Sequence, residues 1–302
     1  MTEADALADT LADAVADASA AADAFEADLA RELLAARDRR ETVRPPTQRT
    51  GEFGLDRAYR VGAALDRSLQ QEGYGLLGCK VGFTNRAIWP EFGLDEPILA
   101  PIYARTLRVA RPVAEVSLAK FRAPMIEVEV VFGIEPEGGA PNSEAPNGGS
   151  PDGDAPTGGR PGWIALGFEI VDCHYPDWHL TPADSVADFG LHGALVVGLP
   201  VNRDVPDFDE RVARLDRLEV SLLRNETLVA RGRGSDVLGH PLEALEVVPR
   251  LWPRFSDAGI PEHGLVVSTG TLTPLEPLSP GDMWRVEAKG VDLPGLSIIL
   301  TD

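Results

Sequence analysis

Three carboxylates sit in apolar surroundings where a charged group needs a partner. Glu127 and Glu129 lie in Met125-Ile-Glu-Val-Glu-Val-Val-Phe132, and Glu169 lies in Trp163-Ile-Ala-Leu-Gly-Phe-Glu-Ile-Val171. Both stretches, rich in Val, Ile and Phe, are predicted buried strands. Residues two apart on a strand point to one face, so Glu127 and Glu129 aim together. Charged groups are rarely buried without a partner, and no Lys or Arg is interleaved to neutralise this pair. A hard divalent cation, which takes oxygen ligands, would do so. The bland alternative is an exposed alternating strand. The apolar residues between and around the carboxylates, and the third Glu in a similar setting, weigh against it.

A second candidate is Lys80, which follows Leu76-Leu-Gly-Cys79 in a predicted strand. A buried lysine shifts its pKa readily and can serve as acid or base, or can hold a substrate carboxylate as a cation. The alternative is a structural lysine whose head snorkels to water. Gly82 and Thr84 form a turn beside it, either a close approach to a ligand or a plain turn. Arg233, Gly234 and Ser235 lie in a tight loop before Leu238-Gly-His-Pro241, where backbone amides could receive a carboxylate. His240-Pro241 is expected to orient the following helix rather than to perform chemistry.

The elements that position these residues alternate between helix and strand periods. Leu7, Leu11, Val15, Ala18, Ala22, Phe25, Leu29 and Leu33 recur at helical spacing, so residues 4–41 are predicted helical, ended by Arg44-Pro-Pro-Thr47. The Ala- and Asp-rich part, residues 1–22, is expected to be a solvated extension. A second helix is predicted over 56–71, closed by Gly73. Strands are predicted at 76–83, 125–134, 163–173, 193–199, 217–230, 264–269 and 283–299, the last broken near Gly290. A helix is predicted at 240–257, bent or interrupted by Pro249 and Pro253. Residues 136–162 carry Pro every five positions with Gly between, from Pro136 to Pro161. Such a repeat has no face to bury and is expected to be a disordered surface loop. The fold class is therefore α+β, with an N-terminal helical segment over 1–72 and a catalytic β-rich domain over 73–302.

Composition narrows the function. The chain has 302 residues, 44% hydrophobic, and a net charge of -20. Nucleic acid and anionic membrane surfaces both need a basic footprint, so neither is an expected partner. No apolar run approaches the ~18 residues that span a bilayer. The acidic start Thr2-Glu-Ala-Asp5 lacks the basic region of a secretory signal. Cys79 and Cys173 lie in apolar contexts and are expected to be free thiols of a reducing, cytoplasmic compartment. Only Lys80, Lys120 and Lys289 are lysines among 28 basic residues. An acidic, lysine-poor surface suits a salt-rich cytoplasm, although a GC-rich genome would also replace Lys by Arg. A rise in unfolding midpoint from low to high KCl is expected on the first account.

Six strings together resemble a known family. Gly78-Cys-Lys-Val-Gly-Phe-Thr-Asn85 resembles the Lys-Ile-Gly-Leu-Thr-Ser segment of the 2-keto-4-pentenoate hydratases, of the fumarylacetoacetate hydrolase superfamily. Ile126-Glu-Val-Glu-Val-Val131 resembles its Glu-x-Glu metal strand, and Ala165-Leu-Gly-Phe-Glu-Ile-Val-Asp172 its third metal-ligand strand. Asp184-Ser-Val-Ala-Asp188, then Arg231-Gly-Arg-Gly-Ser-Asp-Val-Leu-Gly-His-Pro-Leu242, and Thr269-Gly-Thr-Leu-Thr273 with Pro280-Gly-Asp282 follow in the family's order. The resemblance covers residues 25–302, less the repeat. It implies a mixed β-roll with peripheral helices, and Mg2+ or Mn2+ held by Glu127, Glu129 and Glu169. A 2-oxo acid would occupy two remaining positions of such an ion, which acts as a Lewis acid toward the enolate. It also implies that Thr269, Gly270 and Thr271 cradle substrate, although hydroxyls in such turns often bond only backbone. A homo-oligomer is implied as well.

The implied reaction is hydration of a 2-hydroxypenta-2,4-dienoate-like acid to a 4-hydroxy-2-oxo acid in aromatic-compound catabolism. Two departures bear on it. After Glu96-Pro97 the family usually has Asp before an aromatic, and this chain has Ile98-Leu99. After Asp188 the family continues Asn-Ala-Ser, and this chain has Phe189-Gly-Leu-His192. Leu191 thus fills a polar position, and the adjacent His192 is either a replacement proton donor or a buried structural histidine. Decarboxylation of an oxalocrotonate, C–C hydrolysis of an acylpyruvate, and a non-catalytic binding subunit stay open beside the hydratase.

Overall fold

The computed structural model describes residues 24–111, 113–136, 159–257, 259–261 and 264–302. The first part of the expected N-terminal helix and most of the Pro/Gly repeat lie outside them. Helix α1 covers 24–39 and buries Leu29, Leu33 and Ala36 at helical spacing. Helix α2 (Leu55–Gln71) buries Ala58, Tyr59, Leu65 and Leu69. Its Asp66 is also buried and accepts the Tyr103 hydroxyl at 2.8 Å, which satisfies a polar group that would otherwise be costly. The short helices α3 (Trp89–Phe92), α4 (Pro182–Ala187) and α5 (Phe208–Ala213) fill connections. Helix α6 (Glu243–Phe255) runs unbroken across Pro249 and Pro253. The two missing N–H donors weaken it, while burial of Leu245, Val248, Leu251, Trp252 and Phe255 offsets the loss. None of the described helices is long and apolar enough to cross a membrane.

The strands are β1 (Leu76–Gly82), β2 (Ile98–Tyr103), β3 (Leu107–Val109), β4 (Val113–Ser117), β5 (Pro124–Pro136), β6 (Gly159–Asp172), β7 (His192–Val197), β8 (Val201–Asn202), β9 (Glu219–Arg224), β10 (Thr227–Arg233), β11 (Leu265–Thr271), β12 (Glu276–Pro277), β13 (Met283–Lys289) and β14 (Leu296–Thr301). One sheet has the order β2-β1-β11-β5-β6-β7-β3, with β12 on β5 and β8 on β6; the other is β10-β9-β13-β14-β4. Most pairs are antiparallel, but β1–β11, β3–β7 and β4–β14 are parallel. One apolar cluster joins Leu33, Leu65, Val130, Phe168, Leu251, Trp284 and Ile298, drawn from helices and both sheets. A smaller one, Ile102, Val131, Ala165, Leu195 and Val197, lies on the other face of the first sheet.

Three expectations change. The single strand predicted at 217–230 is a hairpin, β9 and β10, turned at Asn225-Glu226, both with positive φ. The repeat was expected to leave the strands at 136–162, but Pro136 still belongs to β5 and 159–162 to β6. Gly159 there packs so closely that a Cβ would sit 2.0 Å from the Glu135 carbonyl oxygen, so only glycine lets the two strands pair. Strands β2, β3, β4, β8 and β12 and helices α3, α4 and α5 are additional to the expected elements.

Buried acids near α4 are each satisfied. Asp184 accepts from Thr47 N–H at 3.0 Å and Thr47 Oγ1 at 2.7 Å, and forms a capping box with Thr181. Asp188 accepts from His174 N–H at 3.1 Å and lies 2.9 Å from His174 Nδ1. Burial pulls the His174 pKa down, but the charge and hydrogen bond of Asp188, helped by Asp172, outweigh it and raise it overall. A raised histidine pKa contributes stability below its unfolded value of about 6.5 and loses it as pH rises through the folded value. The excess thermal midpoint of the native chain over His174→Gln is therefore expected to shrink as pH rises from about 6.5 through the raised folded-state value. A pH-independent gap would remove this ion pair from the stability account.

Candidate metal centre

Strand pairing carries the site residues to one place. Glu127 on β5 pairs directly with Glu169 on β6, so both point to one face, and Glu129 shares it by the two-residue period. Lys80 on β1 pairs with Ser268 on β11, and Ser268 pairs with Val131, which lies on the same face as Glu129. The result is three carboxylates with one oxygen each inside 4.8 Å of the others. Lys80 Nζ stands 2.8 Å from Glu169 Oε2. Glu129 is 1%, Glu169 0% and Lys80 5% exposed, while Glu127 is half-buried. No base is interleaved with these acids in their own strands; Lys80 reaches Glu169 from β1, across β11 and β5.

Two irregularities aim the ligands. The β11–β5 register shifts between Ser268 and Thr271. This bulge turns the Ser268 hydroxyl and the Gly270 N–H, at 3.0 Å, onto Glu129 Oε2. Gly270 has φ +103, and a Cβ there would lie 2.1 Å from Thr84 Oγ1. Gly270→Ala is expected to cost about 1–3 kcal/mol in a denaturant titration and to displace the Glu129 donor. Unchanged stability would show that the bulge relaxes freely. A second shift, between Ile170 and Val171 on the β6–β7 pair, brings His192 onto Glu169.

His192 is buried, with Nδ1 2.8 Å from Glu169 Oε1 and Nε2 2.8 Å from Thr106 Oγ1. Burial, then the charges of Lys80 and Arg37, push its pKa well below the usual value, so the ring is neutral. A neutral ring with its proton on Nδ1 donates to Glu169, while the Thr106 hydroxyl facing Nε2 is shared with the Tyr103 carbonyl, 2.9 Å away. Of the two readings open for His192, proton donor or buried structural histidine, these contacts show a buried ring that orients Glu169.

Burial and the neighbouring carboxylates push Glu127 and Glu129 up to about 8, against the pull of Lys80. Burial works against the Lys80 charge, but the three glutamates more than reverse this and its pKa is raised. Lys80 is thus held as a cation at neutral pH beside the three glutamates. One ammonium does not keep all three carboxylates ionised, as the raised values of Glu127 and Glu129 show, and Glu127 has no hydrogen bond or ion pair among the described residues. A hard dication with oxygen ligands matches that deficit in charge and in donor type.

The remaining expected site residues divide. Thr84 is buried beside Gly270, and Gly82 closes β1 against Ile98. The Thr269 hydroxyl donates to the Val130 carbonyl at 3.0 Å and that of Thr271 to the Thr273 carbonyl at 2.6 Å, so both are used by backbone. The Arg233–Ser235 loop does not bring its donors to the carboxylates. Gly234 N–H goes to Leu218 O at 2.8 Å, Arg233 N–H to Asp236, and the Arg233 and Ser235 side chains are exposed. His240 Nδ1 accepts from Leu242 N–H, orienting α6 as expected. Ser268 and Thr106 were not singled out from the sequence. Their roles depend on a bulge and on a strand register that no local signal reports.

No family model matches the chain. It is 26% identical over 251 residues, 83% of this chain and 88% of the relative, to 2-hydroxyhexa-2,4-dienoate hydratase of Comamonas testosteroni. It is 28% identical over 250 residues, 82% of this chain and 86% of the relative, to the TodF product hydratase of Pseudomonas putida F1. Its fold matches that of 4-oxalocrotonate decarboxylase from Pseudomonas putida G7, complexed with magnesium and adipate. There the TM-score is 0.75 at 23% identity, over 91% of this chain and 97% of that one. Along most of its length, with the six strings in order, the chain is similar to curated hydratases of 2-hydroxydienoates and 2-keto-4-pentenoates, and its fold is that of the decarboxylase.

Proposed function

We propose that the chain is a divalent-cation-dependent hydro-lyase that adds water to a 2-hydroxypenta-2,4-dienoate-like acid, giving a 4-hydroxy-2-oxo acid, in the breakdown of aromatic compounds. The observation that carries this reading is the buried set Glu127, Glu129 and Glu169 with a single ammonium, Lys80. Mg2+ or Mn2+ held by those carboxylates supplies a Lewis acid that stabilises negative charge on the substrate. Lys80 as an ammonium adds a fixed positive charge beside the cation, which would stabilise negative charge on the substrate oxygen. Its contact with Glu169 Oε2, and that of His192 with Oε1, fix that carboxylate on both sides. Ser268 and Gly270 do the same for Glu129. Glu127 is left free to adjust. Gly82 and Thr84, beside Lys80 and Gly270, are proposed to border the substrate. Arg233, Gly234, Ser235, Thr269 and Thr271 support the surrounding turns.

A second reading, decarboxylation of an oxalocrotonate or C–C hydrolysis of an acylpyruvate, is favoured by one observation. Ile98, where the family usually has an acid, is apolar and fully buried, so this chain has no carboxylate there to move a proton. Turnover of synthetic 2-hydroxypenta-2,4-dienoate with Mg2+, and its loss with chelator, tests the first reading. Carbon dioxide from an oxalocrotonate, or two acids from an acylpyruvate, with no hydration of the dienoate, would replace it. We further propose a cytoplasmic homo-oligomer in which residues 1–72 form the helical segment and 73–302 the catalytic domain. The free, buried Cys79 and Cys173 fit a reducing compartment. A monomer in light scattering would overturn the oligomer.

A further inference from the structure

A cavity of about 360 Å³ lies between the end of α1, the loop after β2, the turn after β4 and the start of β7. It is lined by Arg37, Arg40, Arg105, Arg108 and Lys120, in a chain whose net charge is -20. None of these five cations has an ion pair among the described residues. Arg37 instead lies over the Phe189 ring at 4.6 Å and Arg105 over the Tyr74 ring at 4.4 Å, which holds two guanidinium planes in place without neutralising them. Two acids share the lining, Asp38 and Asp172. Asp172 is already engaged, accepting from the backbone N–H groups of Arg122 and Ala123. His174, 3% exposed, also lines the cavity, and its Nε2 has no hydrogen-bond partner, the nearest carboxylate oxygen being Asp172 Oδ2 at 3.8 Å.

We propose that this cavity is a second ligand site, for a small oxyanion, a carboxylate or a phosphate, distinct from the carboxylate cluster. Clustered like charges without partners repel one another and disfavour the folded state. An oxyanion relieves that repulsion and uses the planar donor pairs of arginine, which fit carboxylate and phosphate oxygens two at a time. The cavity wall includes His192, whose other side holds Glu169. The bound anion would thus be separated from the metal ligands by one imidazole ring.

The test is calorimetric titration of the chelator-treated full chain with inorganic phosphate, with succinate, and with chloride at matched ionic strength. Removing divalent ions leaves nothing at the carboxylate cluster to recruit an anion. Saturable binding of phosphate or succinate at millimolar concentration or tighter is expected, with none for chloride. The preferred oxyanion then distinguishes a phosphate ligand from a dicarboxylate. Binding should weaken at least roughly tenfold in Arg105→Ala/Arg108→Ala, whose side chains are exposed and unpaired. It should persist in Glu129→Gln and in the remote Arg231→Ala. No saturable binding of either oxyanion, or equal binding by the double variant, overturns the proposal. Loss of binding in Glu129→Gln would do so too, by moving the anion to the carboxylate cluster. Hydratase turnover does not enter this readout, so failure here leaves the proposed reaction standing, and failure of that reaction leaves this site standing.

Discussion

Glu129→Gln is expected to abolish dienoate turnover and to weaken Mg2+ binding by more than about a hundredfold, while the chain stays folded. Loss of an outer-shell partner alone typically costs 10–100-fold, and here a ligand itself is neutralised. The substitution keeps the volume and can still accept from Ser268 and Gly270, so the bulge on β11 has no reason to collapse. It also removes one of the charges that crowd the site, so metal-free stability should hold or rise slightly. Kinetics over a wide Mg2+ range separate the two effects. Full turnover restored at high Mg2+ would mean that Glu129 only tunes affinity, and turnover equal to the native chain would remove it from the site.

Lys80→Met should produce the largest change in stability, and only in metal-free protein. The Lys80–Glu169 pair is 6% and 0% exposed at its side chains. Removing one partner of such a pair leaves an uncompensated buried charge and typically costs about 3–5 kcal/mol. In this site the loss leaves Glu169, together with whatever charge Glu127 and Glu129 carry, with no cation among the described residues. Mg2+ is therefore expected to recover much of the lost thermal midpoint, far more than it adds to the native chain, because it binds the folded state alone. Activity should not return, since the fixed ammonium is gone. Equal destabilisation with and without Mg2+ would show that the lysine only packs, and that the cation and the ammonium do not share the same charge deficit.

What could be read from the sequence follows from which signals are local. Glu127 and Glu129 were legible because a two-residue period fixes their common face without any knowledge of the partner strand. Glu169 was legible from the same apolar setting, and its direct pairing with Glu127 agrees. The Lys80–Glu169 contact was not legible, because it crosses β11 and β5, and nothing in a lone strand names its neighbours. His192 was noticed, but its role depends on the β6–β7 register shift that turns it toward Glu169. The hairpin at 219–233 was read as one strand because its turn is Asn225-Glu226, without the glycine that usually marks such a turn. Strand β2 gives a weak local signal because Pro101 sits inside it, yet all six of its residues are buried. Helix α4 does have a local signal, Thr181-Pro-Ala-Asp184, a cap with proline in the first turn.

The direct measurement is titration of Mn2+ into chelator-stripped protein, with free ion followed by its paramagnetic resonance signal. One ion per chain is expected for the native protein, displaced by Mg2+, with affinity sharply reduced in Glu127→Gln, Glu129→Gln and Glu169→Gln alike. Binding that survives unchanged in any one of the three, or a native chain that takes up no ion, would contradict a single cation held between them.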